Sequence, residues 1–146
     1  MPQFKSLYHL WVHAGYKKET PGTVVIFMPN TMYAVDQYIP QFQDVVESKR
    51  LIYVVVKSPT GAWNNKDDKF ILGILDDLKK DYAYDEKSVL LIGNSEGAGV
   101  ALWIGLRRAD DVAYAHRRAT LAALLLGFAM SMKYSAGPAT LVGFVA

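Results

Sequence analysis

The chain contains no cysteine, which excludes disulfides, thiolate metal sites and a cysteine nucleophile outright. A charge excess of one sign is missing too: 16 Lys and Arg face 14 Asp and Glu, a net +2. The basic residues form no stripe beyond the pairs Arg107-Arg108 and Arg117-Arg118, so nucleic acid is not expected as a partner. The longest apolar stretch, around residues 119–130, falls well short of the ~20 residues that cross a bilayer, and no membrane partner is expected. The first residues, Met1-Pro2-Gln3-Phe4-Lys5, do not start a basic segment followed by an apolar one. These absences lead to the expectation of a soluble protein, with the cytoplasm favoured.

What is present suits an ordinary globular domain. About half of the residues are apolar (51%) and a fifth are charged (21%), and 146 residues suffice for one core in one domain, residues 1–146. Short β-branched runs alternate with helical stretches. Residues 23–28 precede a helical 35–49, residues 51–56 precede a helical 67–82, and residues 88–92 precede a helix from about 95 to 108. Phe70, Ile71, Ile74, Leu75 and Leu78 recur at helical spacing, with Asp76, Asp77, Lys79 and Lys80 on the other face, the pattern of a helix lying on a sheet. The strands are apolar without alternation, as in a sheet covered on both faces. Residues 4–12 read as a further strand, expected to form an antiparallel hairpin with 23–28. Residues 119–130 and 138–145 are expected to hold a fifth and a sixth strand. The fold class is therefore α/β: a three-layer sandwich on a mostly parallel sheet of about six strands.

One motif carries chemistry. Gly93-Asn94-Ser95-Glu96-Gly97 is a G-x-S-x-G between a buried strand and an apolar helix, the setting of a nucleophile elbow. There the serine occupies a strained turn, and the elbow glycines Gly93 and Gly97 leave room for neighbouring backbone. The alternative is a glycine-rich turn at residues 93–99 that binds a phosphate or nucleotide on the N–H groups of the helix start. A dinucleotide fingerprint fits less well, because the glycines run Gly93, Gly97, Gly99 rather than G-x-G-x-x-G.

The stretch from Thr23 to Leu106 resembles the predicted esterases related to polyhydroxybutyrate depolymerases and feruloyl esterases, within the α/β-hydrolase superfamily. The resemblance rests on Ala62-Trp63-Asn64, Asp67-Asp68, Phe70-Ile71, Ile74-Leu75-Asp76-Asp77-Leu78, Tyr82, Asp85 and the run from Ser88 through Ser95 to Gly99. It implies an ester hydrolase acting on a small-molecule ester through a Ser95 acyl-enzyme, with no cofactor and no metal. It also implies an oxyanion hole made by the N–H of Glu96 and one N–H from the loop after residues 23–28. That loop reads Pro29-Asn30-Thr31-Met32 where the family carries His-Gly, and the candidates for its donor are Thr31 and Met32.

A serine hydroxyl needs a base, and this fold orders its triad as serine, acid, histidine. Only His116 follows Ser95. It is the one candidate base, although its place near the end of the elbow helix suits a surface histidine better. His9 and His13 share one face of the first strand and suit structural roles. In the resembled family the acid follows the strand that corresponds to residues 139–145 and the histidine comes later. The chain is accordingly expected to be truncated, with weak or absent activity, or to be a non-catalytic scaffold. An exposed sheet edge at residues 139–145 is then expected to pair copies into a homo-oligomer.

Overall fold

The computed structural model describes residues 8–32, 35–111 and 140–145. Strand β1 (Tyr8–Val12) and strand β2 (Gly22–Met28) come first. A 3-10 turn (Val35–Tyr38) leads into helix α1 (Ile39–Lys49), followed by β3 (Leu51–Val56), α2 (Asp68–Asp81), β4 (Tyr84–Asn94), α3 (Glu96–Asp111) and β5 (Thr140–Val145). The five strands form one sheet in the order β1-β3-β2-β4-β5.

Alternation along each strand explains why the strands read as continuous apolar runs. Val24, Ile26 and Met28 of β2, Ile52, Val54 and Val56 of β3, and Val89 and Leu91 of β4 pack under α2 and α3. The intervening Val25, Phe27, Tyr53 and Val55 pack on the other face with Val46 of α1. A helix layer on each face leaves the central strands no solvent side, so both parities must be apolar. On α2, Phe70, Ile71, Ile74 and Leu78 are buried, as their spacing requires, and each contributes roughly 1.5–3 kcal/mol by burial. Tyr53 is nearly inaccessible and its hydroxyl has no partner among the described residues. Burial pushes that phenol well above its ordinary value.

Helix α1 starts with Pro40 in its first turn and ends on Arg50, which adopts the left-handed conformation at φ 56°. The Arg50 N–H donates to the Glu47 carbonyl at 3.3 Å. This is the common αL way to stop a helix, in which the reversed residue satisfies carbonyls left open at the end.

Three sequence expectations need correction. First, β1 does not form a hairpin with β2: it lies antiparallel to β3, with Tyr8 opposite Val56 and Val12 opposite Ile52. The pattern of each strand specifies its two faces but not its neighbours, and β3 inserts between the two. Second, the sheet is mixed and not mostly parallel. β2 is parallel to both β3 and β4, but β1 and β5 are each antiparallel to their neighbour, and five strands, not six, are found among the described residues. The strand expected within 119–130 lies outside the described residues. Third, an acid that follows residues 139–145, as the resemblance implies, would need that strand to end beside Ser95, but β5 runs against β4, with Thr140 opposite Asn94 and Val145 opposite Val89. Its C-terminal end therefore lies at the sheet edge remote from Ser95, and its first residue lies beside the elbow.

Candidate active site

β4 ends at Asn94 and α3 begins at Glu96, so Ser95 alone makes the turn. It does so at φ 55°, in the left-handed region that costs a non-glycine residue roughly 1–2 kcal/mol. Its side chain is exposed, and its carbonyl accepts the Ala98 N–H at 3.1 Å, closing the first turn of α3.

The glycines flanking the serine have steric reasons to be glycine. Gly93 has the parity of Val89 and Leu91 and so faces α3; a Cβ there would overlap the backbone of Gly97 and the Ala98 nitrogen. A Cβ on Gly97 would overlap the Met28 carbonyl, at the end of β2. The start of α3 is thus seated against the C-terminal ends of β4 and β2 at backbone contact. The first N–H groups of a helix have no intrahelical partner, which leaves the Glu96 N–H next to the serine hydroxyl.

The loop after β2 reaches the same place. Met28 pairs with Gly93, and the next residues are held from three directions. The Pro29 carbonyl accepts the indole N–H of buried Trp63 at 2.6 Å. Asn30 Oδ1 accepts the Met32 N–H at 2.8 Å, a local Asx turn. Thr31 Oγ1 donates to the Glu96 carboxylate, at 3.3 Å and 3.2 Å to its two oxygens. Of the two residues weighed as donors, Met32 has its N–H committed to Asn30, and its side chain is 84% exposed. The Thr31 N–H has no hydrogen-bond partner among the described residues.

Trp63, quoted above for the resemblance, and Asn30, quoted as part of the loop after residues 23–28, were given no role in holding the site. Trp63 stands in the loop between β3 and α2, where Asp67, itself buried, accepts the Asn64 backbone N–H at 2.9 Å and the Asn64 side-chain amide at 3.2 Å. A Pro-Asn pair just after a strand is a turn signal. Nothing local marks a tryptophan 34 residues beyond Pro29 as the donor to its carbonyl.

No described histidine reaches Ser95. His13 donates its backbone N–H to the Leu51 carbonyl, at the opposite edge of the sheet. Leu51 is level with Thr23, and Met28 with Gly93, so five residues of strand, about 16 Å, separate the two levels. There His13 is buried edge-on against Tyr16, with ring centroids 6.2 Å apart, in a structural setting. His9 is level with Ile92 through Val55 and Phe27, but three strand spacings, about 14 Å, lie between. His116 lies outside the described residues. No group of three or more His, Asp or Glu among the described residues could hold a metal ion, and no described helix is long and apolar enough to cross a membrane.

No family model matches the chain, and no curated protein matches it. Among solved structures, DcsB in complex with its substrate analogue is similar at a TM-score of 0.52 and 14% identity, over 88% of this chain and 48% of that one. The chain thus spans about half the length of that neighbour, and at this identity the likeness shows a shared mixed α/β fold alone.

Proposed function

We propose that the chain carries the nucleophile elbow of a serine-dependent carboxylic ester hydrolase of the α/β-hydrolase type, with Ser95 as the attacking residue. The observation that carries this reading is Ser95 itself: a non-glycine residue held at φ 55° on an exposed strand-to-helix turn, between two glycines where no Cβ fits. Strain of this kind persists only where the surroundings impose it, and it aims the hydroxyl away from the sheet.

In this account Ser95 Oγ bonds to the ester carbonyl carbon and the bond to the alcohol oxygen breaks. The hydroxyl proton leaves on the departing alcohol, and water then releases the acid and restores the hydroxyl. The Glu96 and Thr31 N–H groups stabilise the oxyanion. Hydrolysis of p-nitrophenyl acetate by the wild type beside Ser95→Ala tests the reading. Hydrolysis above the buffer rate that disappears in the variant supports it, and equal rates in the two proteins contradict it.

A second reading, a scaffold that keeps the elbow without catalysis, is favoured by the placement of His9 and His13 out of reach of Ser95. The same assay decides between the two. β5 is an edge strand among the described residues, and its sequence Thr-Leu-Val-Gly-Phe-Val has no charge or proline to deter edge pairing. Association of copies along that edge is part of the proposal, and a monomer at high concentration in size exclusion would contradict it.

A further inference from the structure

Glu96 occupies an unusual double position. Its main-chain N–H is one oxyanion donor, and its side chain, free to extend into solvent, instead accepts the hydroxyl of Thr31, whose N–H is the other donor. We infer that the Thr31–Glu96 pair is a positioning clamp: it ties the loop after β2 to the start of α3 and thereby sets the separation of the two N–H groups. The inference rests on the reading of Ser95 as nucleophile.

The remaining contacts of the loop show why such a tie matters. Pro29 is anchored to Trp63 and Asn30 closes on Met32, so both flanks of Thr31 are fastened within the loop or to the β3–α2 connection. Neither fastening refers the loop to α3. β2 and β4 are in register up to Met28 and Gly93, but three residues of loop separate Met28 from Met32. Across that gap the Thr31–Glu96 bond is the side-chain hydrogen bond that links the loop to α3 among the described residues. At 3.2–3.3 Å it is long for a hydroxyl donor; such bonds commonly tighten when the reacting group arrives. Oxyanion stabilisation is sensitive to donor placement, so a tie that costs little in stability acts on the rate.

Because both donors are main-chain groups, side-chain substitution removes neither; Glu96→Ala and Glu96→Gln both lose the charge of Glu96, so the difference between them reads donor position rather than charge. The test is the rate of covalent labelling of the full chain by a fluorophosphonate probe, with the maximal inactivation rate separated from the half-saturating concentration. Thr31→Val, which keeps shape but not the hydroxyl, and Glu96→Ala are each expected to slow the maximal rate by about threefold to tenfold. The half-saturating concentration should change little. Thr31→Val combined with Glu96→Ala should be no slower than either alone, because both remove the same bond. Glu96→Gln, whose amide oxygen still accepts, should restore most of the rate lost in Glu96→Ala. Wild-type rates in both single variants, with labelling still lost in Ser95→Ala, would overturn the clamp and leave the nucleophile standing. If the folded wild type shows no Ser95-dependent labelling, the nucleophile reading and the clamp fall together.

Discussion

Among the described residues, two other than glycine share the left-handed conformation, Arg50 at φ 56° and Ser95 at φ 55°, and they do unrelated things with it. Arg50 ends α1, and its N–H is bonded to the carbonyls that a helix terminus leaves open. Its reversal is repaid locally by those bonds. Ser95 begins a helix where a residue in the β region is the usual solution. Its reversal is imposed by neighbours: β4 before it, α3 after it, and Gly97 pressed on the end of β2. The dihedral angle alone therefore says little. What marks a functional turn is that strain at one residue is held in place by backbone contacts at several others.

The largest effect expected from this contrast lies beside Ser95, not on it. Gly97→Ala or Gly93→Ala puts a methyl group into backbone and should cost about 3 kcal/mol or more, seen as a lowered urea midpoint. Gly99→Ala, where a Cβ would meet nothing within 4 Å, should be neutral or gain up to about 1 kcal/mol through helix propensity. Equal behaviour of Gly97→Ala and Gly99→Ala would break the claim that α3 is seated on β2.

Next in size is Trp63→Phe. The indole N–H to the Pro29 carbonyl is a buried bond of 2.6 Å, and removing the donor should cost roughly 1–3 kcal/mol by leaving that carbonyl unsatisfied. The loop that carries Thr31 should loosen with it, read as faster amide exchange at residues 30–32 relative to α1.

Relieving the strain directly sharpens the comparison further. Arg50→Gly and Ser95→Gly should each raise stability by about 1 kcal/mol, about 3 °C in Tm for a domain of this size. They should part company on reactivity: the first keeps whatever probe labelling the wild type shows, and the second loses it.

The smallest effect concerns the end of α1, next to Arg50. The Glu47 carboxylate accepts the Ala14 N–H at 3.0 Å and the Trp11 indole N–H at 3.1 Å, and these bonds hold its pKa below the ordinary 4.5. Between the lowered value and 4.5 the unfolded chain binds more protons than the folded one. Stability from this group is therefore complete above about pH 4.5 and lost as the pH falls through the folded value. Glu47→Gln should flatten that part of the acid limb, and an unchanged acid limb would contradict the assignment.

The faces of the elements were legible in the sequence because burial acts residue by residue. The spacing of Phe70, Ile71, Ile74 and Leu78 could only serve a helix on a sheet, and residues 51–56 could only serve a strand buried on both sides. Strand order and direction were not legible. A run such as Thr140–Val145 presents the same apolar pattern in either direction, so the pattern does not choose between pairing parallel or antiparallel to β4. The same holds for the site. Ser95 and its glycines are contiguous, so sterics at close range write them into a pentapeptide. The Trp63 anchor and the Thr31–Glu96 bond join residues 34 and 65 positions apart, and no local pattern encodes them.

The central claim is that the strain at Ser95 presents a reactive hydroxyl. It is tested most directly by incubating the folded chain with a fluorophosphonate and locating the adduct by peptide mass mapping. The account predicts a single phosphonyl group on Ser95 and none on the Ser95→Ala chain. A folded chain that stays unmodified, or carries the adduct on another residue, would contradict it.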